Sequence, residues 1–287
     1  MEQNEIVKGD RGDLFKAAII SLLNRAKLKQ KYIDILTDKY SLSIYDIAFT
    51  DKSANPNNNY EFYEIIGDAA VNKSIVVYIT KRFPQLAKPG GVEFISKLTS
   101  KLRSKEKLSS ITKSLKLDSF VTHSTLNTKK TDMAEDVFES FIGATEQLID
   151  QRIKFGAGYV IVYNIVESIF NGMEIPLTWE YLVDPITSLK DNYFLHKEFK
   201  DKNIGTYKYE ELEFKNQLGN NQYVVIVNRI FKERGREIIE EIGRSTPQFK
   251  KQIARKIASE RAINTLKIKG FVREPPEKFK NFIMFIN

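Results

Sequence analysis

The sequence predicts a multi-domain chain: an all-α domain followed by a small α+β domain of order α-β-β-β-α. Three observations carry this reading. From Leu14 to Ile169 apolar residues recur mostly at helical spacing, with little strand-like alternation. The stretch NGMEIPLTWEYLVDP (171–185), with one glycine and two prolines, then interrupts the pattern. Beyond it lie three β-rich runs with a helical pattern on either side. The 287 residues suffice for two modest domains.

Taken in order, the helical patterns are LFKAAIISLLNRAKL, KYIDILTDKY, AAVNKSIVVYITKRF, GVEFISKLTSKLRSKEKLSSITKSL and AEDVFESFIGATEQLI. NPNNN (55–59), PQLAKPGG (84–91) and THSTLNTKKTD (122–132) separate them. In the second half ITSLKDNYFLHKEFK reads as one helix, with Asp184 as N-cap and Pro185 at the first helical position. TYKYEELEFK, NQYVVIVNRIFK and EIIEEIG read as strands, the first two joined by an LGNN turn (218–221). A strongly basic helix is expected over 246–267, where Ala254, Ala258 and Ala262 make a smooth packing stripe. The expected divisions are an N-terminal helical extension over 1–29, a catalytic domain over 30–170, a linker over 171–183, an RNA-binding domain over 184–271 and a tail over 272–287.

Composition narrows the function. No run approaches the ~18 apolar residues of a membrane span, and the charged start MEQNEIVKGDRGDLFK lacks the apolar core of a secretory signal. An intracellular protein without a membrane partner is expected, cytoplasm and nucleus not being distinguished. The absence of cysteine excludes disulfides and thiolate-zinc sites. With only His123 and His196, cleavage by paired imidazoles is disfavoured. The formal charge of +8 suits a polyanionic partner, although a Lys-rich composition also serves solubility. From Gly243, the stretch GRSTPQFKKQIARKIASERAINTLKIKGFVR carries one acid, Glu260, among many basic residues.

The segment EFYEIIGDAAVNKSI (61–75) is costly as a helix. Gly67 loses about 1 kcal/mol relative to alanine, and Glu64 and Asp68, one turn apart, repel by roughly 0.2–0.5 kcal/mol. Glu61, Glu64 and Asp68 share one helix face, beside Ile65, Ile66, Ala69, Ala70 and Val71, with no basic residue between Glu61 and Asn72. A second apolar helix carries Asp136 and Glu139 at i, i+3. Carboxylates near a core need a compensating cation or hydrogen bonds. An oxygen-rich magnesium site would supply one. By spacing alone, solvated helix faces remain the other reading.

AFTDKSANPNNNYEFYEIIGDAAVNKSIVVYITKRFP (48–84) resembles the first signature block of the ribonuclease III family, and EDVFESFIGA (135–144) resembles its second. The resemblance implies that Glu64, Asp68, Asp136 and Glu139 hold the metal. Glu61 matches a further acidic position, implicated in RNA contact and in the dimer's active centre. The glycine would allow close helix packing beside the site. The sequence departs from the family in three places. Asp51 stands where a histidine is usual, Ile65 where an aromatic helps lock the dimer, and Val92, next to Glu93, where an acid is common.

DPITSLKDNYF (184–194), the three strands and ARKIASERAI (254–263) resemble a double-stranded RNA-binding domain, against the alternative of an ordinary basic surface helix. Thr187, Lys190 and Asp191 would then contact 2′-hydroxyls, and Lys250, Lys251 and Arg255 phosphates. The family's Gly-Pro-x-His loop is absent, with LGNNQ (218–222) in its region. Tyr193, Phe194, Tyr207, Tyr209 and Tyr223 are expected in the core. Together the resemblances imply a Mg2+-dependent endoribonuclease, with Mn2+ able to substitute and no nucleotide cofactor. It would cut double-stranded RNA to short duplexes with 5′-phosphate and 3′-hydroxyl ends, as a homodimer through the catalytic domain. The rival is a catalytically inactive relative binding structured RNA in a ribosomal or RNA-processing assembly. Such relatives typically lose some of the acids, and this chain keeps all four. A general RNA-annealing protein would leave EIIGD and DVFES unexplained.

Overall fold

Where the chain supplies an oxygen ahead of a helical run, the helix begins. In the computed structural model, Asp38, Ser104 and Asp184 each accept backbone N–H groups of the turn they precede. The structure describes residues 5–125, 130–217, 219–277 and 279–280, with the backbone alone at 130–132. Two units are formed, Met1–Ile175 and Pro176–Asn287.

Unit one contains β1 (Ile6–Val7), α1 (Asp13–Arg25), α2 (Gln30–Leu36), α3 (Lys39–Ala48), α4 (Glu61–Arg82), α5 (Val92–Leu102), α6 (Lys105–Ser114), β2 (His123–Ser124), α7 (Lys130–Arg152) and α8 (Gly158–Asn171). The long helices α4 and α7 pack on each other at two glycines. A Cβ on Gly67 would overlap the Glu139 carbonyl oxygen, and one on Gly143 would overlap that of Tyr63. That close approach is why glycine is accepted inside α4 despite its helix penalty.

The core of this unit gathers Tyr45, Val71, Ile75, Tyr78, Phe138, Phe141 and Phe170, all buried. The first 29 residues belong to it as well: α1 buries Phe15, Ile19, Leu22 and Leu23, and β1 pairs with β2. His123 sits in β2 rather than in an open loop. Residues 126–129 of the expected break at 122–132 lie outside the described residues.

Unit two contains α9 (Trp179–Leu182), α10 (Pro185–Thr187), a π turn (Ser188–Phe194), α11 (Lys197–Asp201), β3 (Thr206–Lys215), β4 (Asn221–Glu233), β5 (Arg236–Arg244) and α12 (Lys251–Ile268). The strands form one antiparallel sheet in the order β3-β4-β5. Arg234 and Gly235, both at positive φ, make the two-residue turn between β4 and β5. Leu218 of the LGNN turn lies outside the described residues, and Gly219 in it takes φ +77°.

Ala254, Ala258 and Ala262 are fully buried with Val225, Val227, Ile242, Leu189 and Tyr193. Phe194 is buried with them, and Tyr207, Tyr209 and Tyr223 pack against this core.

Two expectations need correction here. The single helix over 186–200 is a short α turn running into a π turn, then a break before α11. The wider turn lets Leu189, Tyr193 and Phe194 all face the core. The basic helix begins at Lys251, not at 246, because Gln248 pairs with Tyr223, and Pro247 disfavours a helical conformation for Thr246 before it. Within the expected linker 171–183, Leu177, Trp179, Leu182 and Val183 are buried, and Trp179 meets the tail residue Phe279 edge-on at 4.3 Å. Tail residues 278 and 281–287 lie outside the described residues.

Candidate active site

Helices α4 and α7 bring Glu64, Asp68, Asp136 and Glu139 to one open cleft of about 350 Å³, which Ile65, Lys105 and Glu135 also line. Glu61, one turn before Glu64, is exposed and pairs with Lys52 at 2.5 Å. The glycine crossing explains the juxtaposition, since it brings the backbones of the two acid-bearing helices together.

The site carries more acid than its basic neighbours offset. Glu139 is only 5% exposed. Burial, followed by the charges of Asp68, Glu135, Glu64 and Asp136, pushes its carboxyl up to about 9. Glu64 is pushed up to about 7, first by burial and then by Asp136, Glu61 and Glu135. Cations do reach the cleft from other segments, although α4 supplies none in its first three turns. Arg103 lies 3.5 Å from Asp68, and Lys105 lies 3.3 Å from Glu135.

All the clustered donors are carboxylate oxygens, the set a hard divalent cation prefers. Among the described residues no three acids or histidines converge as a ready-made ion cage. The four carboxylates line one cleft without closing on a single point. A buried carboxyl with raised proton affinity and acidic neighbours is chemically suited to a cation, which would relieve both the burial and the repulsion.

The apolar residues that the sequence places beside the acids, which a core-facing helix would bury, are buried only in part. Ile65 is 72% exposed, Phe62 is 59% exposed and Ala69 is exposed, so α4 turns an apolar stripe outward beside the acids. Val92, at the start of α5, is exposed too.

Sequence reasoning missed Glu135, Lys105, Arg103 and Tyr60, whose hydroxyl lies 3.1 Å from Asp136 Oδ2. Glu135 was legible, since it stands one turn before Glu139 on the same helix. The other three are brought in by the fold.

In unit two, Thr187, Lys190 and Asp191 are exposed at the first helical segment. Lys250 stands at the N-cap position of α12, without a side-chain cap, and is exposed. Lys251 and Arg255 do not project freely. Both pair with Glu211 of β3, Arg255 Nε donating at 2.6 Å.

The "Ribonuclease III domain" family model matches residues 61–146, the stretch that runs from α4 through the acid pair of α7. Along nearly its whole length the chain is similar to a protein of Invertebrate iridescent virus 6 named "Putative ribonuclease 3". The two are 37% identical over 96% of this chain and 95% of that protein. A protein of the same name from Frog virus 3 is 32% identical over 86% of this chain and 62% of its own length. Among solved structures, the nuclease domain of ribonuclease III from Campylobacter jejuni matches with 23% identity and a TM-score of 0.40, over 56% of this chain and 99% of that one.

The class so defined is a helical nuclease domain followed by a sheet-containing unit. The chain belongs to the ribonuclease III family. Membership supports an endoribonuclease.

Proposed function

We propose that the chain is a divalent-cation-dependent endoribonuclease that hydrolyses double-stranded RNA. The products are short duplexes with 5′-phosphate and 3′-hydroxyl ends. Residues 30–170 serve as the catalytic domain and 184–271 as the RNA-binding domain. The observation that carries this reading is the cleft itself, where four carboxylates from two helices meet with a surplus of negative charge and Glu139 buried among them.

In this reading Glu64, Asp68, Asp136 and Glu139 hold the cation, Mg2+ with Mn2+ able to substitute. When bound, the cation offsets the phosphodiester's charge and lowers the pKa of water to make a nucleophile. The chain's own residues supply the rest. Glu139, confined by burial, fixes one ligand direction. Arg103 and Lys105 flank the acids and attract the RNA backbone toward the cleft. Glu61, outermost of the acids, meets RNA at the rim.

One cleft cuts one strand, so both strands require a homodimer. The outward stripe of Phe62 and Ile65 supports a dimer face on unit one. In unit two, Thr187, Lys190 and Asp191 reach 2′-hydroxyls, while Lys250, Lys251 and Arg255 meet phosphates, a recognition of shape rather than sequence.

The test is cleavage of a long perfect RNA duplex with magnesium by wild type and Glu139→Gln. Short duplex products from wild type alone are expected. Tight duplex binding by both proteins without cleavage by either would replace the enzyme with a structural RNA-binding protein.

A further inference from the structure

Ahead of α4 the chain folds back on itself and buries a tyrosine against the cleft. Tyr60 is 5% exposed, and its N–H donates to the Thr50 carbonyl at 2.9 Å. Its hydroxyl is the donor toward two acceptors, Asp51 Oδ2 at 2.7 Å and Asp136 Oδ2 at 3.1 Å, which share its one proton. Asp51, 2% exposed, is itself pinned. Its N–H donates to the Thr122 carbonyl at 2.9 Å, and its Oδ1 accepts the Ser53 N–H at 2.8 Å. A phenol has a single proton, and here two carboxylate oxygens compete for it. The competition is informative, because a tyrosine needed only for packing would be satisfied by one neutral carbonyl.

We propose that Tyr60, anchored by Asp51, is a positioning residue for Asp136 in the acidic cleft. Asp136 is surrounded by like charge from Glu64, Glu135 and Glu139, so an unrestrained carboxylate would turn away from the other acids. The Tyr60 hydroxyl holds Oδ2 and thereby sets the plane of the carboxylate. Groups that orient a metal-binding side chain in this way are worth about 10–100-fold in metal affinity. The inference rests on the cation reading of the cleft given above.

The experiment measures Mn2+ binding to the full chain without RNA, by calorimetry, for wild type, Tyr60→Phe and Glu139→Gln. Each is paired with a thermal melt and with the Mg2+ dependence of duplex cleavage. Tyr60→Phe should weaken Mn2+ about 10-fold and raise the half-saturating Mg2+ in parallel, while cleavage recovers at saturating cation. A lowered Tm with unchanged Mn2+ affinity and unchanged Mg2+ dependence would make Tyr60 structural only and overturn the proposal. If the phenylalanine variant does not fold, 4-fluorophenylalanine at position 60 nearly keeps the packing and removes the donor. Unchanged Mn2+ affinity there overturns the proposal equally. A wild type that binds no Mn2+, indistinguishable from Glu139→Gln, would sink the cation reading itself and the role of Tyr60 with it.

Discussion

Glu139 is held at 5% exposure among Asp68, Glu135, Glu64 and Asp136, and no stability argument favours a carboxylate there. In the proposed function the cation offsets the cost of holding it there. Glutamine has the same shape without the charge, so Glu139→Gln should stabilise the cation-free protein by roughly 1–3 kcal/mol while abolishing cleavage. Thermal melts with and without Mg2+ check this: the variant melts higher in chelator, and only wild type gains from the ion. A variant that melts lower in chelator would mean that the glutamate is structurally required.

At the scale of elements, two devices set the geometry of unit one. The first is the α4–α7 crossing. Gly67→Ala improves intrinsic helix propensity by about 1 kcal/mol. It also drives a methyl into a backbone carbonyl that cannot rotate away. The overlap wins, and a net loss of about 2 kcal/mol or more is expected in urea unfolding, with loss of cleavage as the helices part.

The second device is the cap of α3. Asp38 accepts the Ser41 N–H and the Arg152 guanidinium, each at 2.8 Å, tying α3 to the end of α7. Arg152, and then the Ser41 N–H, hold its carboxyl down at about 2. A depressed acid contributes stability above its unfolded value, near 3.9, and loses it as pH falls toward the folded value. Asp38→Asn keeps the cap and removes the charge. At 41% side-chain exposure the effect is modest, about 0.5–1 kcal/mol at pH 7. In denaturant titrations the gap between the two proteins should close between pH 4 and pH 2. A gap that persists at pH 2 would exclude the ion pair as its source.

Over the whole molecule, the formal charge of +8 is the balance of 45 basic and 37 acidic residues, and it is the count of basic residues that overstates what is available to a polyanion. Much of the basic surface of unit two is internally paired: Lys256 with Asp184, Lys267 with Glu180, Lys269 with Glu240, and both Lys251 and Arg255 with Glu211. Glu211 thus occupies the groups proposed to meet RNA phosphates, and binding has to displace it. Glu211→Gln should tighten binding to an RNA duplex about 3-fold at 0.1 M salt, the equivalent of one partly exposed ion pair. Fluorescence anisotropy across a salt series measures this. Weaker binding by the variant would show that Glu211 orders the basic residues rather than competing for them.

What the sequence determined by itself was most of what local spacing governs. Helix periodicity placed Glu64 and Asp68 on one face and Asp136 and Glu139 on another, and it drew the alanine stripe of α12 and the three strands. These follow from 3.6- and 2-residue repeats along a short stretch of chain. The tertiary structure alone decided what meets across distance. It brought Tyr60 to Asp136, Arg103 to Asp68, and Glu211 to Lys251 and Arg255. It also turned Ile65 outward and set the π turn by packing Leu189, Tyr193 and Phe194. The physical reason is the same in each case. A partner 35 to 76 residues away is chosen by how packed helices and sheets close on one another, and no repeat within one element encodes that choice.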